Sequence, residues 1–456
     1  MTGIGFEIGI IVALVVLIFL GVHIVVALGI ASIAGIALAT GSLDIALTTL
    51  ATTSYQALRD YVFAVLPLFI LMGELIGKSG AARDLYVLMN RLLRRLPGRL
   101  ALATVMGNAI FAFVTGVSIA AAAAFSRIAY PEMVRHGYDK SFALGSVAGS
   151  ACLGMLIPPS ILMIVWGVLT ESSIGHLFIA GILPGLTLAG LFCVYILCAA
   201  VWRPELVGEG VRPPAPAGAA AAAPSGPLPP ETDRPQPSAR EVRISVVGLT
   251  IVIVAVLGGI WLGAFTPTEA AGIGTLLAFV LALLKGVRLK GLVEAMLITG
   301  RTSAPILILI IMAQLYSRLL AISGLSGTIQ QTVLASGLGA AGILGIMVLV
   351  WFILGMFIDS ISIMLITVPI FTPLAGRIGY DPIAFALIGI LAIEAGLLTP
   401  PFGLVVYTVK SSVNDPEVSL GKIFAGSTPY WIMLLILTAL VALFPPLANW
   451  LPRHMM

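Results

Sequence analysis

Two stretches of this sequence carry residues that could do chemistry where plain apolar packing would suffice. Residues 149–164 read GSACLGMLIPPSILMI, and residues 393–406 read IEAGLLTPPFGLVV. Each lies inside a long apolar run and holds an adjacent proline pair, Pro158-Pro159 and Pro400-Pro401. A proline in a helix interior removes a backbone donor and costs roughly 3 kcal/mol or more. At membrane depth, irregular backbone is tolerated only where it is buried in protein or lines a cavity. Unwinding frees carbonyl oxygens, which a hard cation such as Na+ takes as ligands. Helix N-termini offer N–H groups and positive dipole ends to anions. A hairpin tip facing a broken helix supplies both. A first Na+ or substrate site is therefore expected from Thr115, Gly116 and Ser118 at one tip, facing Ser150, Cys152 and Gly154 beside Pro158. A second is expected from Asp359, Ser360 and Ser362 at another tip, facing Glu394, Gly396 and Thr399 beside Pro400. Asp359 and Glu394 are ionisable groups within apolar stretches, which suggests function by default. The plainer alternatives are a helix cap for Asp359 and a hydrogen-bonded structural acid for Glu394.

The two stretches belong to a repeat. Gly137-Tyr138-Asp139 returns as Gly379-Tyr380-Asp381, and 379 − 137 = 242. The same offset takes Pro131 to Pro373, Ser118 to Ser360, Gly154 to Gly396, and one proline pair to the other. Further on, Ala180-Gly181 and Pro184 match Ala425-Gly426 and Pro429 with an offset of 245, so the second copy holds a short insertion. Paired Gly/Pro interruptions in two halves of a membrane chain point to a transport site.

The elements that must hold these residues are membrane helices. Of 456 residues, 59% are hydrophobic and 10% charged, with a mean hydropathy of +1.12. An average soluble chain is about 45–50% apolar and about 25% charged. The expected fold is an all-α polytopic membrane protein. The basic residues lie in loops between spans, which excludes nucleic acid as a partner and leaves the lipid bilayer. Three cysteines and four scattered histidines supply no disulfide framework, zinc or haem site. No nucleophile–base set appears, so an enzyme is not expected. The first apolar run starts after acidic Glu7, which reads as a first span rather than a cleaved signal.

A Pro/Ala-rich stretch, 203–243, cannot bury a core and reads as a tether. It separates a first membrane repeat, 1–202, from a second, 244–456. In the first, spans fall near 4–21, 23–40 and 61–79, then a hairpin at about 100–134, a broken helix at about 141–170 and a span near 175–201. In the second, spans near 244–264, 268–284 and 303–321 precede a hairpin at about 340–376, a broken helix at about 382–409 and a last span near 427–446. Segments 44–60 and 286–301 are too polar to span and read as interfacial helices. A hairpin returns to the side it left, so each half makes five net crossings and the copies are inverted. Lys78, Arg91, Arg94, Arg95, Arg99, Lys140, Lys285, Lys290 and Lys422 then share one side. The positive-inside rule makes that side cytoplasmic, with the tether inside and both termini outside.

The residues that carry a family resemblance are now in view. LPLFILMGELIGKSG (66–80), TGVSIA, GYD, LGMLIPPS (153–160), FIAGILPG, GMFIDSISI and EAGLLTPPFG (394–403) occur in this order. The chain resembles the large membrane subunit of TRAP transporters, tripartite importers that depend on a periplasmic binding protein. The resemblance covers nearly the whole chain outside the tether. It implies Na+-driven, elevator-type movement of a transport domain against a scaffold, with Na+ sites at the two tips and facing unwound helices. Na+ is the coupling ion and no other cofactor is implied. It implies a small four-helix membrane subunit and a soluble periplasmic substrate-binding protein as partners. The implied substrate is an organic anion: a dicarboxylate, a keto or hydroxy acid, or a sugar acid. The implied location is the bacterial inner membrane. The alternative is a stand-alone sodium–dicarboxylate symporter of related architecture.

Overall fold

The computed structural model describes residues 4–208, 237–413 and 415–455. Among these residues the regular elements are helices, and the one isolated bridge joins Tyr138 to Val207. Eight described helices are long and apolar enough to cross a membrane, among them Tyr61–Lys78, Ile174–Trp202 and Leu420–Leu443. Ile24–Thr40, Arg99–Phe113, Ala340–Gly355 and Pro382–Gly396 are shorter apolar helices. Polar residues punctuate the apolar runs by capping. Thr266 and Glu269 form a reciprocal box ahead of Pro267–Leu284, and Asp139 and Asp381, repeat mates, cap the two broken helices.

Ion pairs and polar contacts test the crossing count. At one end Lys78 meets Glu294 at 2.9 Å, Lys285 meets Asp84 at 2.5 Å, and Lys140 meets Asp415 at 2.7 Å and Glu417 at 2.8 Å. At the other end Arg318 donates to Gln56, and Arg453 lies 3.8 Å from Asp381. Each pair joins segments that the count puts on the same side. The start of the first broken helix lies near the end of the second, since Lys140 pairs with Asp415 just beyond Ser412, and against the start of the last span, where Ser141 Oγ donates to the Lys422 carbonyl at 2.6 Å. The two repeats therefore run in opposite directions. Their seam is close. A Cβ on Gly145 would fall within the Gly426 backbone, so these two helices touch main chain to main chain.

Several elements depart from the sequence reading. Residues 286–301 do not form a separate interfacial helix. Leu289–Ser323 is one helix of 35 residues. At 1.5 Å per residue it is about 52 Å long, more than the roughly 30 Å of bilayer hydrocarbon. Its polar first turns overhang one end, where Glu294 pairs with Lys78. Average polarity misled because a helix does not stop where it leaves lipid. Leu43–Arg59 is a separate helix, as expected of 44–60. Two further helices have no counterpart in the sequence reading: Leu325–Ala335, after left-handed Gly324, and Pro446–Met455. The last span is Leu420–Leu443, displaced from the expected 427–446 because Ser419 caps it and Pro445 and Pro446 follow it. Most of the expected tether, 209–236, lies outside the described residues. At its far end the helix Ala239–Ile253 has already begun, started by the Ser238–Glu241 capping box.

Candidate functional site

The first hairpin is Arg99–Thr115 and Ser118–Ile128; the second is Ala340–Gly355 and Ser360–Arg377. The first broken helix is Lys140–Ala151, Leu153–Leu156 and Ile161–Thr170; the second is Pro382–Gly396 and Leu404–Ser412. Both proline pairs stand in the breaks, and both Pro–Pro bonds are cis.

The prolines act on particular carbonyls. In a helix the carbonyl of residue i accepts from the N–H of i + 4. Pro158 and Pro159 therefore strip donors from Gly154 and Met155, and Pro400 and Pro401 strip them from Gly396 and Leu397. Local hydroxyls partly replace them. Ser160 Oγ donates to the Met155 carbonyl at 2.6 Å, and the Gly396 carbonyl accepts from both Thr399 Oγ1, at 2.7 Å, and Thr399 N–H, at 3.0 Å. Each hairpin then ties itself to the second residue beyond its proline pair. Ile161 N–H donates to the Gly116 carbonyl at 3.2 Å, and Gly403 N–H donates to the Met356 carbonyl at 3.3 Å. Residues 161 and 403 are repeat mates.

Small residues permit this approach. Gly116 adopts φ +59, and a Cβ there would stand 2.5 Å from the Pro159 carbonyl oxygen. A Cβ on Gly154 would stand 3.2 Å from the Val117 carbonyl carbon, so the first tip lies on the first broken helix. A Cβ on Gly396 would stand 2.6 Å from Gly355 Cα, so the second hairpin lies on the second broken helix.

The side chains converge further than two separate sites require. Ser360 Oγ donates to Glu394 Oε1 at 2.9 Å. Cys152 Sγ lies 3.9 Å from the Glu394 carbonyl oxygen. Ser118 faces the same carboxyl without reaching hydrogen-bond geometry. Residues of the first expected site thus meet residues of the second at one buried acid. Ser150 stands apart from that acid: it accepts from Asn108 Nδ2 at 2.7 Å and joins the first hairpin to the first broken helix. Asp359 caps the arm Ser360–Arg377, accepting from Ser362 N–H at 3.0 Å and from the Ser362 hydroxyl. Thr115 Oγ1 donates to the Phe111 carbonyl of its own helix at 3.2 Å. Sequence reasoning passed over Ser160, although a serine directly after a proline pair and ahead of an apolar run is a capping signal. Nothing in the local sequence marks the bond from Asn108 to Ser150.

The two breaks differ in access. Residues 151–160 are all buried, whereas Pro400, Pro401 and Phe402 are exposed. Phe402 lies between Phe357, with ring centroids 6.0 Å apart, and Tyr407, at 6.4 Å. The arrangement offers stripped carbonyls, hydroxyls and one carboxyl within a buried crossing of four helical elements, which is a donor set for a hard monovalent cation.

Residues 11–447 match the family described as "Tripartite ATP-independent periplasmic transporter, DctM component". The C4-dicarboxylate TRAP transporter large permease protein DctM of Pseudomonas aeruginosa is 32% identical over 413 residues, 88% of this chain and 90% of that protein. The ectoine TRAP transporter large permease protein TeaC of Halomonas elongata is 29% identical over 437 residues, 95% of this chain and 96% of that protein. In fold, the chain is similar to the YdaH transporter of Alcanivorax borkumensis, with a TM-score of 0.62, 17% identity and 90% of each chain covered. The relatives are transporter permeases rather than enzymes. With inverted helical repeats, paired breaks and a family match over nearly its whole length, this chain belongs to the DctM-component large permeases of tripartite ATP-independent periplasmic transporters.

Proposed function

We propose that this chain is the large permease subunit of a Na+-coupled importer of an organic anion. A periplasmic binding protein delivers the substrate, and a small four-helix membrane subunit completes the complex in the bacterial inner membrane. The hairpins and broken helices form a transport domain that moves, elevator-fashion, against a scaffold built from the remaining spans. The tether lies in the cytoplasm and the termini outside. The observation that carries this reading is the paired removal of the helical N–H donors of the Gly154, Met155, Gly396 and Leu397 carbonyls in two breaks packed under hairpin tips, with Ser160 and Thr399 standing in as donors at Met155 and Gly396. Such oxygens suit Na+, and the N-termini at Ser118 and Ser360 suit an anion. The names of the relatives, which include C4-dicarboxylate and ectoine permeases, support a small charged metabolite as cargo.

The test is uptake by proteoliposomes holding the chain and its small subunit, with binding protein outside. Uptake of an organic acid that needs both an inward Na+ gradient and the binding protein is expected. Uptake indifferent to Na+ would overturn the coupling. Uptake of free substrate without the binding protein would favour a stand-alone symporter.

A further inference from the structure

Away from the breaks, the helices Ala239–Ile253 and Pro267–Leu284 run side by side and leave an apolar groove between them. Val247 and Ile251 line one wall, Leu277 and Val280 the other, and Arg243 stands at one mouth. Lys285 Nζ lies 3.5 Å from the Glu241 carbonyl, so the first turn of one helix and the last turn of the other share an end, the end at which the tether arrives. A glycine sets the floor. A Cβ on Gly248 would stand 2.6 Å from Leu281 Cδ1, so Leu281 fills the space that a side chain at 248 would take, and the helices close together beneath the groove.

The dimensions select the occupant. The groove has a volume of about 310 Å³. From Arg243 to Ile251 it follows about 12 Å of helix at 1.5 Å per residue. Its mean cross-section is therefore about 26 Å², against roughly 80–110 Å² for a helix 10–12 Å across. A hydrocarbon chain fits such a slot and a transmembrane helix does not.

The charge at the mouth selects further. Lysines at this end are closed by the chain's own acids: Lys285 by Asp84, Lys78 by Glu294 and Lys140 by Asp415. Among the described residues the guanidinium groups of Arg243 and Arg240, one turn apart on one helix, enter no ion pair or hydrogen bond. An unpaired guanidinium above an apolar slot matches an anionic headgroup above an acyl chain, and a guanidinium takes phosphate in a bidentate grip. Basic pockets between membrane helices hold such headgroups.

We propose that this groove binds one anionic phospholipid. Its phosphate rests on Arg243, Arg240 adds to the positive field, and the upper part of one acyl chain lies between Val247 and Val280. The lipid touches both helices and fastens them at the tether end of the second repeat. It is bound whether or not uptake is coupled to Na+.

The experiment titrates the purified, delipidated full chain in detergent with phosphatidylglycerol or with phosphatidylcholine of the same acyl chains, and counts bound lipids by native mass spectrometry. Wild type should hold one phosphatidylglycerol several-fold more tightly than phosphatidylcholine. Arg243→Gln should lose that preference. Arg288→Gln, which removes an arginine after the same helix end but outside the groove, should keep it. Val280→Trp should fill the groove and weaken both lipids. All three positions are exposed, so the core is left as it is. Equal binding of the two lipids by wild type, or an undiminished preference in Arg243→Gln, overturns the proposal. Displacement of the lipid by the small membrane subunit would assign the groove to that subunit, and a wild-type dimer that Val280→Trp breaks would assign it to a second copy; either result overturns it as well. Uptake that ignores the Na+ gradient would sink the transport reading and leave the lipid site standing.

Discussion

Replacing Gly116 by alanine should damage the site in a way that can be separated from an ordinary glycine effect. Gly116 ends the first arm at φ +59 and holds the first tip against the residues beyond Pro159. Two costs arise on substitution. An L residue in the left-handed region costs roughly 1–2 kcal/mol. A Cβ 2.5 Å from the Pro159 carbonyl oxygen also overpacks against backbone that has no rotamer to give. Overpacking typically costs about 1–3 kcal/mol. Gly379 is the control: its φ is +77, and nothing lies within 4 Å of a Cβ there. Gly379→Ala should therefore show the conformational cost alone. Purified variants would be unfolded by titration with a denaturing detergent, with and without Na+. Gly116→Ala should be less stable than Gly379→Ala by about 1–3 kcal/mol. It should also lose most of its stabilisation by Na+, which Gly379→Ala should keep. Equal losses in the two variants, with Na+ stabilisation intact in both, would refute the contact between tip and break as part of the ion site.

Other perturbations probe the rest of the chain. The Asp84–Lys285 pair is buried, with side-chain exposures of 5% and 8%, and Ser245 also donates to the Asp84 carboxylate. Lys285→Met alone should cost about 3–5 kcal/mol, and adding Asp84→Asn should recover part of it in a double-mutant cycle. Outside the membrane, the hydrogen bond from Lys140, reinforced by Tyr130, holds the Asp415 carboxyl down at about 2. A lowered folded-state value means stability that is complete above the unfolded-state value of about 4 and disappears as pH falls towards 2. The stability gap between wild type and Asp415→Asn should be flat above about pH 4 and close below it; a gap that persists at pH 2 would assign it to packing. Ser118→Ala and Ser360→Ala should each reduce the Na+ response of uptake more than the amount of folded protein, read from matched vesicles. Deleting 212–236 should leave folding and detergent-solubilised stability unchanged, because that composition offers no apolar face.

The legible parts of the fold were those governed by absolute local rules. Proline has no N–H wherever it stands, so Pro158-Pro159 and Pro400-Pro401 announced breaks that the structure contains. A constant offset announced the repeat, and an odd number of crossings its inversion, which the Lys140–Asp415 and Ser141–Lys422 contacts bear out. Asp359 and Glu394 stand out because ionisable groups are rare in apolar runs, but their surroundings were not legible. The cap made by Asp359 depends on where the tip turns. The meeting of Cys152 with Glu394 depends on where the repeat axis passes, which no local pattern encodes. The uninterrupted Leu289–Ser323 helix escapes a sequence reading because polarity reports solvent contact rather than backbone continuity. Pro305 lies inside that helix without ending it, since the Pro158 and Pro400 breaks each have a second proline and a facing hairpin to hold them open.

The most direct measurement is an experimental density map of the chain with its small subunit, recorded once in Na+ and once in choline. Peaks beside the Gly154–Met155 and Gly396–Leu397 carbonyls in Na+, absent in choline, are the expected result. Identical maps, with those carbonyls closed over by protein groups in both salts, would contradict the reading that the proline pairs exist to hold a cation.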